Sequence, residues 1–256
     1  MNLLKFIALN TLLGASLFAS EIITVAATPV PHAEILEQIK PDLEQKGYKL
    51  EIKEFTDYVL PNLAVDGGEI DANFFQHIPY LEEFNKNKGT KLVKVAAVHI
   101  EPMAVYSKKF KSIDELPNGA TIAVPNDPTN ESRALDIIAK AGLVKFKDSA
   151  LKTPVDIIDN PKKIKFVELK AAQLPRSLED VDFAVINSNY ALSADLNPAK
   201  DSVLIEDGQS PYVNILVIKE GHENDEKIKA LSQALQSQKV KDYINQKYNG
   251  SVIPAF

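Results

Sequence analysis

The stretch Ile22–Phe55, IITVAATPVPHAEILEQIKPDLEQKGYKLEIKEF, decides the fold class. Ile22–Ala27 is a short apolar run rich in β-branched residues, the pattern of a strand buried on both faces. His32–Lys46 then sets Ile35, Leu36, Ile39 and Leu43 at helical spacing. Pro41 is expected to kink or restart that helix, because it lacks an N–H and its ring crowds the preceding turn. Lys49–Phe55 alternates, Leu50 and Ile52 against Lys49, Glu51 and Lys53, as a half-buried strand does. Strand, helix, strand in this order predicts an α/β fold with mostly parallel sheets.

The alternation continues outward. Asp57–Val65 reads as a short helix closed by Gly67 and Gly68. Ile70–Phe75 reads as a strand, Ile78–Lys86 as a helix and Lys91–Ser107 as a long extended run. The pattern then restarts with a strand at Thr121–Val124 and a helix at Asn130–Ala141, stopped by Gly142. Ile164–Leu169 and Asp182–Ile186 are strands, and Asn187–Ala194 is a short helix. Val203–Ile205 and Tyr212–Ile218 are extended, and two helices fill Asp225–Tyr248. Two such blocks, joined by extended segments near 100–107 and 212–219, predict two lobes with two crossovers. Residues 21–106 plus 213–256 would form the first lobe and residues 107–212 the second.

Before Glu21 the only charged residue is Lys5, and the apolar run Phe6–Phe18 ends in Ala19 and Ser20. A basic start, a short apolar run and a small-residue exit read as a secretory signal peptide over residues 1–20, cleaved after Ala19 or Ser20. The run falls short of the roughly 20 apolar residues of a spanning helix. The exported protein is expected to be soluble and periplasmic. The 256 residues contain no cysteine, which excludes disulfides, thiol catalysis, thiolate metal sites and a lipid on an N-terminal Cys. With a formal net charge of -6 and no cluster of Lys and Arg, the chain has no footprint for nucleic acid.

Enzyme signatures are sparse. The sequence has no G-x-S-x-G elbow, no G-x-G-x-x-G, no P-loop and no H-E-x-x-H. His32, His77, His99 and His222 are scattered, and a metal-binding transport protein with His32, His77 and His99 at strand ends is one alternative. An exported enzyme acting on amino-acid derivatives is another, although it lacks a visible nucleophile. Polar and aromatic residues concentrate instead at strand-to-helix junctions. These are DYVLP at Asp57–Pro61, NFFQHIPYL at Asn73–Leu81, NDPTNESR at Asn126–Arg133, INSNY at Ile186–Tyr190 and SPYVN at Ser210–Asn214. Ligands of open α/β sheets bind outside the carboxyl ends of strands, where such junctions lie.

Their chemistry is of one kind. Arg133 stands in the first turn of a helix with Thr129 or Asn130 as expected cap, and a guanidinium fork at a helix N-terminus suits a carboxylate. Tyr58, Phe75 and Tyr80 offer an apolar, polarizable slot of the kind a thioether favours. Asn187 and Asn214 bring amides able to hold a carboxylate and an ammonium. The set suits holding a zwitterion, with no cofactor. The plainer alternatives are that Arg133 is a surface residue paired with Glu131 or Asp136, that the rings are core and that the asparagines are turn caps. As a ligand-facing group with no internal partner, Arg133 is expected to add little to the stability of the unliganded protein.

Three longer motifs carry a resemblance. TPVPHAEIL at Thr28–Leu36, DYVLPNLAVDGGEIDANFFQHIPYL at Asp57–Leu81 and SPYVNILV at Ser210–Val217 are similar to those of the methionine-binding proteins of methionine ABC importers, the NlpA lipoprotein family. The resemblance runs from about Ile22 to Phe256. It implies a two-lobed periplasmic-binding-protein fold closing on one amino acid, methionine first, with another small amino acid or a methionine-containing dipeptide as alternatives. It also implies a membrane permease and its ATPase as partners, and a monomer is expected. By motif match, Tyr58, Phe75, His77 and Tyr80 resemble the residues around the methionine side chain. Arg133 resembles the carboxylate-binding arginine, and Asn187 and Asn214 the asparagines on the backbone groups. Family members carry a lipidated cysteine at the end of the signal. Here Leu13–Gly14–Ala15 resembles the approach to it but Ser16 stands in its place, so a freely diffusing form is expected.

Overall fold

The opening strand–helix–strand is formed by β1 (Glu21–Ala27), α1 (Glu34–Glu44) and β2 (Tyr48–Glu54) in the computed structural model, which describes residues 20–208 and 210–256. The segment read as a signal peptide lies, apart from Ser20, outside the described residues. β1 and β2 pair in parallel with Ile23 opposite Leu50. α1 is continuous through Pro41, its apolar face of Ile35, Leu36, Ile39 and Leu43 wholly buried. Packing of that face outweighs the one backbone hydrogen bond that proline removes.

The chain continues through α2 (Leu60–Asp66), β3 (Ala72–His77), α3 (Ile78–Lys88) and β4 (Leu92–Ile100). Gly89 ends α3 in the left-handed conformation, at φ 70°. Then follow β5 (Ala104–Tyr106), β6 (Thr121–Pro125), α4 (Pro128–Lys140), the short pair β7 (Lys145–Phe146) and β8 (Ile157–Asp159), β9 (Lys165–Leu169) and α5 (Leu174–Ser177). β10 (Phe183–Ile186), α6 (Ser188–Ser193), α7 (Pro198–Asp201) and β11 (Leu204–Ile205) complete the middle of the chain. β12 (Val213–Lys219), α8 (Glu226–Leu235), α9 (Gln238–Tyr248) and β13 (Ile253–Pro254) close it.

Two principal sheets result. One has the order β13-β4-β12-β3-β1-β2 and the other β11-β5-β10-β6-β9. In the first, Ile23, Val25, Phe74 and Leu216 pack against α1, α8 and α9 through Leu36, Leu231 and Ile244. Its opposite face packs Ile215 and Val217 on Val65 and Leu81. In the second, Ile122, Val124 and Val185 pack on Leu135 and Ile138 of α4, and Tyr106, Ala184 and Ile186 on Leu174 and Leu178. Both sheets are thus helix-covered on both faces, as buried α/β sheets require.

The expectation of mostly parallel sheets needs correcting, because both are mixed. β1 pairs in parallel with β2 and β3, and β6 with β9 and β10, as helix-linked strands do. β12, however, opposes both β3 and β4, and β5 opposes β10 and β11. Topology dictates this reversal. The chain leaves the first sheet from the end of β4 and returns across the same edge into β12, so the returning strand must run the other way. The long extended run of residues 91–107 is also broken, at Glu101–Pro102–Met103. β5 belongs to the five-stranded sheet, so the first crossover falls at residues 101–103 and not at 106.

Candidate functional site

Strand ends from both sheets meet at one pocket. His77 ends β3, Glu101 follows β4, Asn187 follows β10 and Asn214 opens β12 beside His77 and His99. Tyr58, Phe75, His77 and Tyr80 line this cavity from one side. Arg133, Asn187 and Asn214 line it too, together with Gln76, Glu101, Asn130, Ser188 and Asn189. All seven residues singled out in the sequence are therefore brought together.

The start of α4 is built from NDPTNESR, which places Arg133 in the second turn of the helix and not in the first as expected. Its cap is Asp127, not the expected Thr129 or Asn130, because Pro128 fills the first helical position, where a missing N–H costs nothing. The Asp127 carboxylate accepts from the Asn130 backbone N–H at 3.0 Å and from its Nδ2 at 2.9 Å. That orients the Asn130 amide, whose Oδ1 accepts from Asn187 Nδ2 at 2.8 Å and lies 3.1 Å from His77 Nε2. Nδ1 of His77 accepts the Tyr80 backbone N–H at 3.2 Å, so the proton sits on Nε2 and is donated to Asn130. Burial, helped by the Arg133 charge, depresses the His77 pKa to about 3, and the ring is neutral. Among the described residues, the buried Oδ1 of Asn187 has no hydrogen-bond partner. Buried carbonyls are nearly always satisfied, so this one retains capacity to accept a further donor.

Arg133 is buried, at 3% exposure, and its surroundings correct two expectations. It pairs with neither Glu131 nor Asp136, and it does have an internal partner. Nε lies 3.1 and 3.2 Å from the two carboxylate oxygens of Glu206, and Nη2 lies 2.5 Å from Oε2. Nη2 also donates to the Glu101 carbonyl at 2.8 Å, and the guanidinium sits 4.2 Å over the Tyr212 ring. Among the described residues, Nη1 takes no hydrogen-bond partner.

Glu101 lies inside an apolar run, and a lone acid there is itself a signal, since a buried charge needs a reason. Its carboxylate meets His99 Nε2 at 2.7 Å and His32 Nε2 at 3.2 Å. His32 Nε2 also reaches Asn214 Oδ1 at 3.0 Å, while Nδ1 accepts from Thr28 Oγ1 at 2.7 Å. Burial lowers the His32 pKa to about 4, against the pull of Glu101, and that of His99 to about 3. Both are neutral donors. Burial also raises the Glu101 pKa, opposed by His32 and Arg133. Among the described residues, the alternative metal set of His32, His77 and His99 does not assemble, and His77 Nε2 faces Asn130 instead. His32, His99 and Glu101 do place one ligand atom each within 4.8 Å of one another. A cation there would have to displace the protons that now bridge them.

The apolar side is a cluster of rings. Tyr58 lies 5.8 Å from both Phe75 and Tyr80, and Phe75 meets Tyr80 edge-on at 6.1 Å. Tyr80 donates to the Tyr58 carbonyl at 2.9 Å, so the rings are fixed against each other. Gln76, which also lines the cavity, is held by Asn62 and Asn73, at 2.6 and 2.9 Å. Among the contacts that tie the sheets across the cavity are His77 to Asn130, Tyr58 Oη to Asn189 Oδ1 at 2.6 Å, and Tyr190 Oη to the Thr56 carbonyl at 3.0 Å.

Comparison with known proteins agrees with this arrangement. The family model described as NlpA lipoprotein matches residues 23–256. The D-methionine-binding lipoprotein MetQ of Escherichia coli K12 is 47% identical over 225 residues, 86% of this chain and 82% of the relative. The methionine-binding lipoprotein MetQ of Bacillus subtilis is 44% identical, over 91% of this chain and 87% of its own. The structure of a nutrient-binding protein from Burkholderia cenocepacia bound to methionine superposes with a TM-score of 0.89 at 45% identity, covering 91% of this chain and all of that one. A match over nearly the whole chain, at such identity and with the same architecture, means that the chain belongs to the NlpA lipoprotein family.

Proposed function

We propose that this protein is a periplasmic solute-binding protein that encloses methionine between two lobes and delivers it to the permease and ATPase of an ABC importer. The observation that carries the reading is the unmatched polarity of the cavity. A buried acceptor without a partner, Asn187 Oδ1, faces the same space as a guanidinium with one nitrogen to spare and a carboxylate, beside a wall of rings. Arg133 Nη1 takes the ligand carboxylate, Asn187 Oδ1 and Glu101 take the ammonium, and Asn214 reaches the backbone groups through Nδ2. Tyr58, Phe75 and Tyr80 take the thioether, with His77 bracing Asn130. Residues 21–103 plus 213–256 form one lobe and 104–212 the other, closing about the crossovers in a hinge motion. The protein works as a monomer, without a lipid on cysteine, and holds its ligand without converting it.

Each charge-assisted hydrogen bond contributes about 1.5–3 kcal/mol. Burial of the side chain adds roughly 1.5–3 kcal/mol. That suffices for micromolar affinity, about 8 kcal/mol, after ordering costs. Saturating L-methionine is therefore expected to raise the melting temperature, by the equivalent of about 2.7 kcal/mol at a hundredfold excess over Kd. Mass spectrometry should find the amino acid unchanged after prolonged incubation. No shift with L- or D-methionine, or turnover of either, sinks the reading.

The rings have their own signature. Phe75→Ala is expected to weaken methionine about tenfold or more, the share of its buried side chain. Binding of L-alanine, which is too short to reach the slot, should stay within about twofold. Equal losses for the two amino acids in calorimetric titration would make Phe75 core only.

A further inference from the structure

We propose that Glu206 is a positioning residue for ligand recognition, locking the Arg133 guanidinium so that a single edge faces the cavity. The inference rests on the reading of Arg133 as the carboxylate partner and adds the group that aims it. Glu206 does not line the cavity; it lies behind Arg133, past the end of β11.

Its geometry suits this task. Both carboxylate oxygens face Arg133 Nε, and Oε2 also receives Nη2, which engages one whole edge of the guanidinium. Glu206 is itself fixed. Oε2 accepts the Met103 backbone N–H at 3.2 Å, and the Glu206 backbone N–H donates to the Met103 carbonyl at 2.9 Å. The Glu101 carbonyl and the Tyr212 ring hold two further sides of the cation. A free arginine side chain has many rotamers to lose on meeting a ligand. Here that ordering precedes binding, and the planar fork leaves only Nη1 to present.

The restraining groups share a location. Glu101 and Met103 lie in the first crossover, and Glu206 and Tyr212 flank the second, whereas Arg133 itself stands on α4. The aim of Nη1 is therefore set by the two segments about which the lobes would rotate. A carboxylate on Nη1 is felt where the hinge lies.

Two measurements test the proposal, one of which needs no ligand. Arg133 and Arg176 are the two arginines of the sequence, so the spectrum of 15N-labelled protein holds two side-chain Nε–H signals, and Arg176→Lys assigns them. Arg176 is exposed and should exchange rapidly with water. The Arg133 signal should be sharp and slow to exchange in wild type, broadened in Glu206→Gln, and intermediate in Glu206→Asp, which keeps the charge but withdraws it by one methylene. Calorimetric titration then compares L-methionine with L-methioninol, which lacks the carboxylate. Glu206→Gln should weaken methionine about tenfold, the scale on which outer partners of metal ligands contribute. Methioninol should change by less than about twofold. An Arg133 signal indifferent to Glu206→Gln, or equal losses for the two compounds, overturns the proposal. If wild type binds no methionine, the proposed function fails and so does the recognition role, while the Nε–H signals still report whether Glu206 fixes Arg133.

Discussion

Arg133→Ala is expected to weaken L-methionine binding by thirtyfold to several thousandfold, the equivalent of about 2–5 kcal/mol for losing one partner of a desolvated charge pair. The ligand carboxylate would otherwise be enclosed with no cation to meet it. Arg133→Lys recovers only part, since an ammonium cannot serve Glu206 and the ligand with the same fixed fork. Arg133→Ala is also expected to destabilise the unliganded protein, by about 3–5 kcal/mol, because it strands the largely buried Glu206 carboxylate. Adding Glu206→Gln to Arg133→Ala should restore much of that stability and none of the affinity. Denaturant titrations of the three variants, alongside calorimetry well below their melting temperatures, separate the two effects. An alanine variant that binds within twofold of wild type would send the search for the carboxylate site elsewhere.

The second large effect is acid lability. His32, His77 and His99 are neutral in the fold, with pKa values of about 4, 3 and 3 against 6.5 for an unhindered histidine. Between those limits the unfolded chain binds more protons than the folded one, so stability is complete above 6.5 and falls as pH drops. Each histidine removes about 2 kcal/mol between pH 7.5 and pH 5. Carboxyls act the other way. Burial raises the pKa of Glu101 and Asp127, and burial with the neighbouring Glu168 pushes Glu131 up to about 8, so Glu131 favours the fold as pH falls through that range. A single substitution isolates one histidine. His99→Gln can still donate to Glu101 but cannot titrate, so between pH 7.5 and 5 it should lose about 2 kcal/mol less stability than wild type. Parallel losses for the two proteins would mean that His99 is protonated in the fold.

Much of the architecture was legible because it depends on local periodicity. The face of α1, the alternation of β2 and the glycine that stops α4 are decided within a few residues of each other. Strand direction was not legible. Nothing in SPYVNILV says that β12 inserts between β3 and β4 from the opposite end, since that depends on where the chain re-enters the sheet. The cavity was partly legible, because the junction motifs at Asp57, Asn73, Asn126, Ile186 and Ser210 all fall at strand ends, which the fold gathers. What supports those residues was hidden by distance along the chain. Glu206 lies 73 residues from Arg133, and Asn214 lies 182 from His32. Glu101 was missed for another reason, because an acid in an extended apolar run looks like an edge residue until its two histidines are in place.

The strands that lead out of and back into the six-stranded sheet, β4 and β12, are hydrogen-bonded neighbours, with Ile100 opposite Val213 at the point of exit. The two connections between the lobes therefore leave side by side, like the knuckles of a door hinge. Such a strap bends readily in one direction but resists twisting and sideways shear, so opening the cleft is close to a motion with one degree of freedom. Two spectroscopic labels on opposite rims, with one distance between them, would then record the whole course of capture and release.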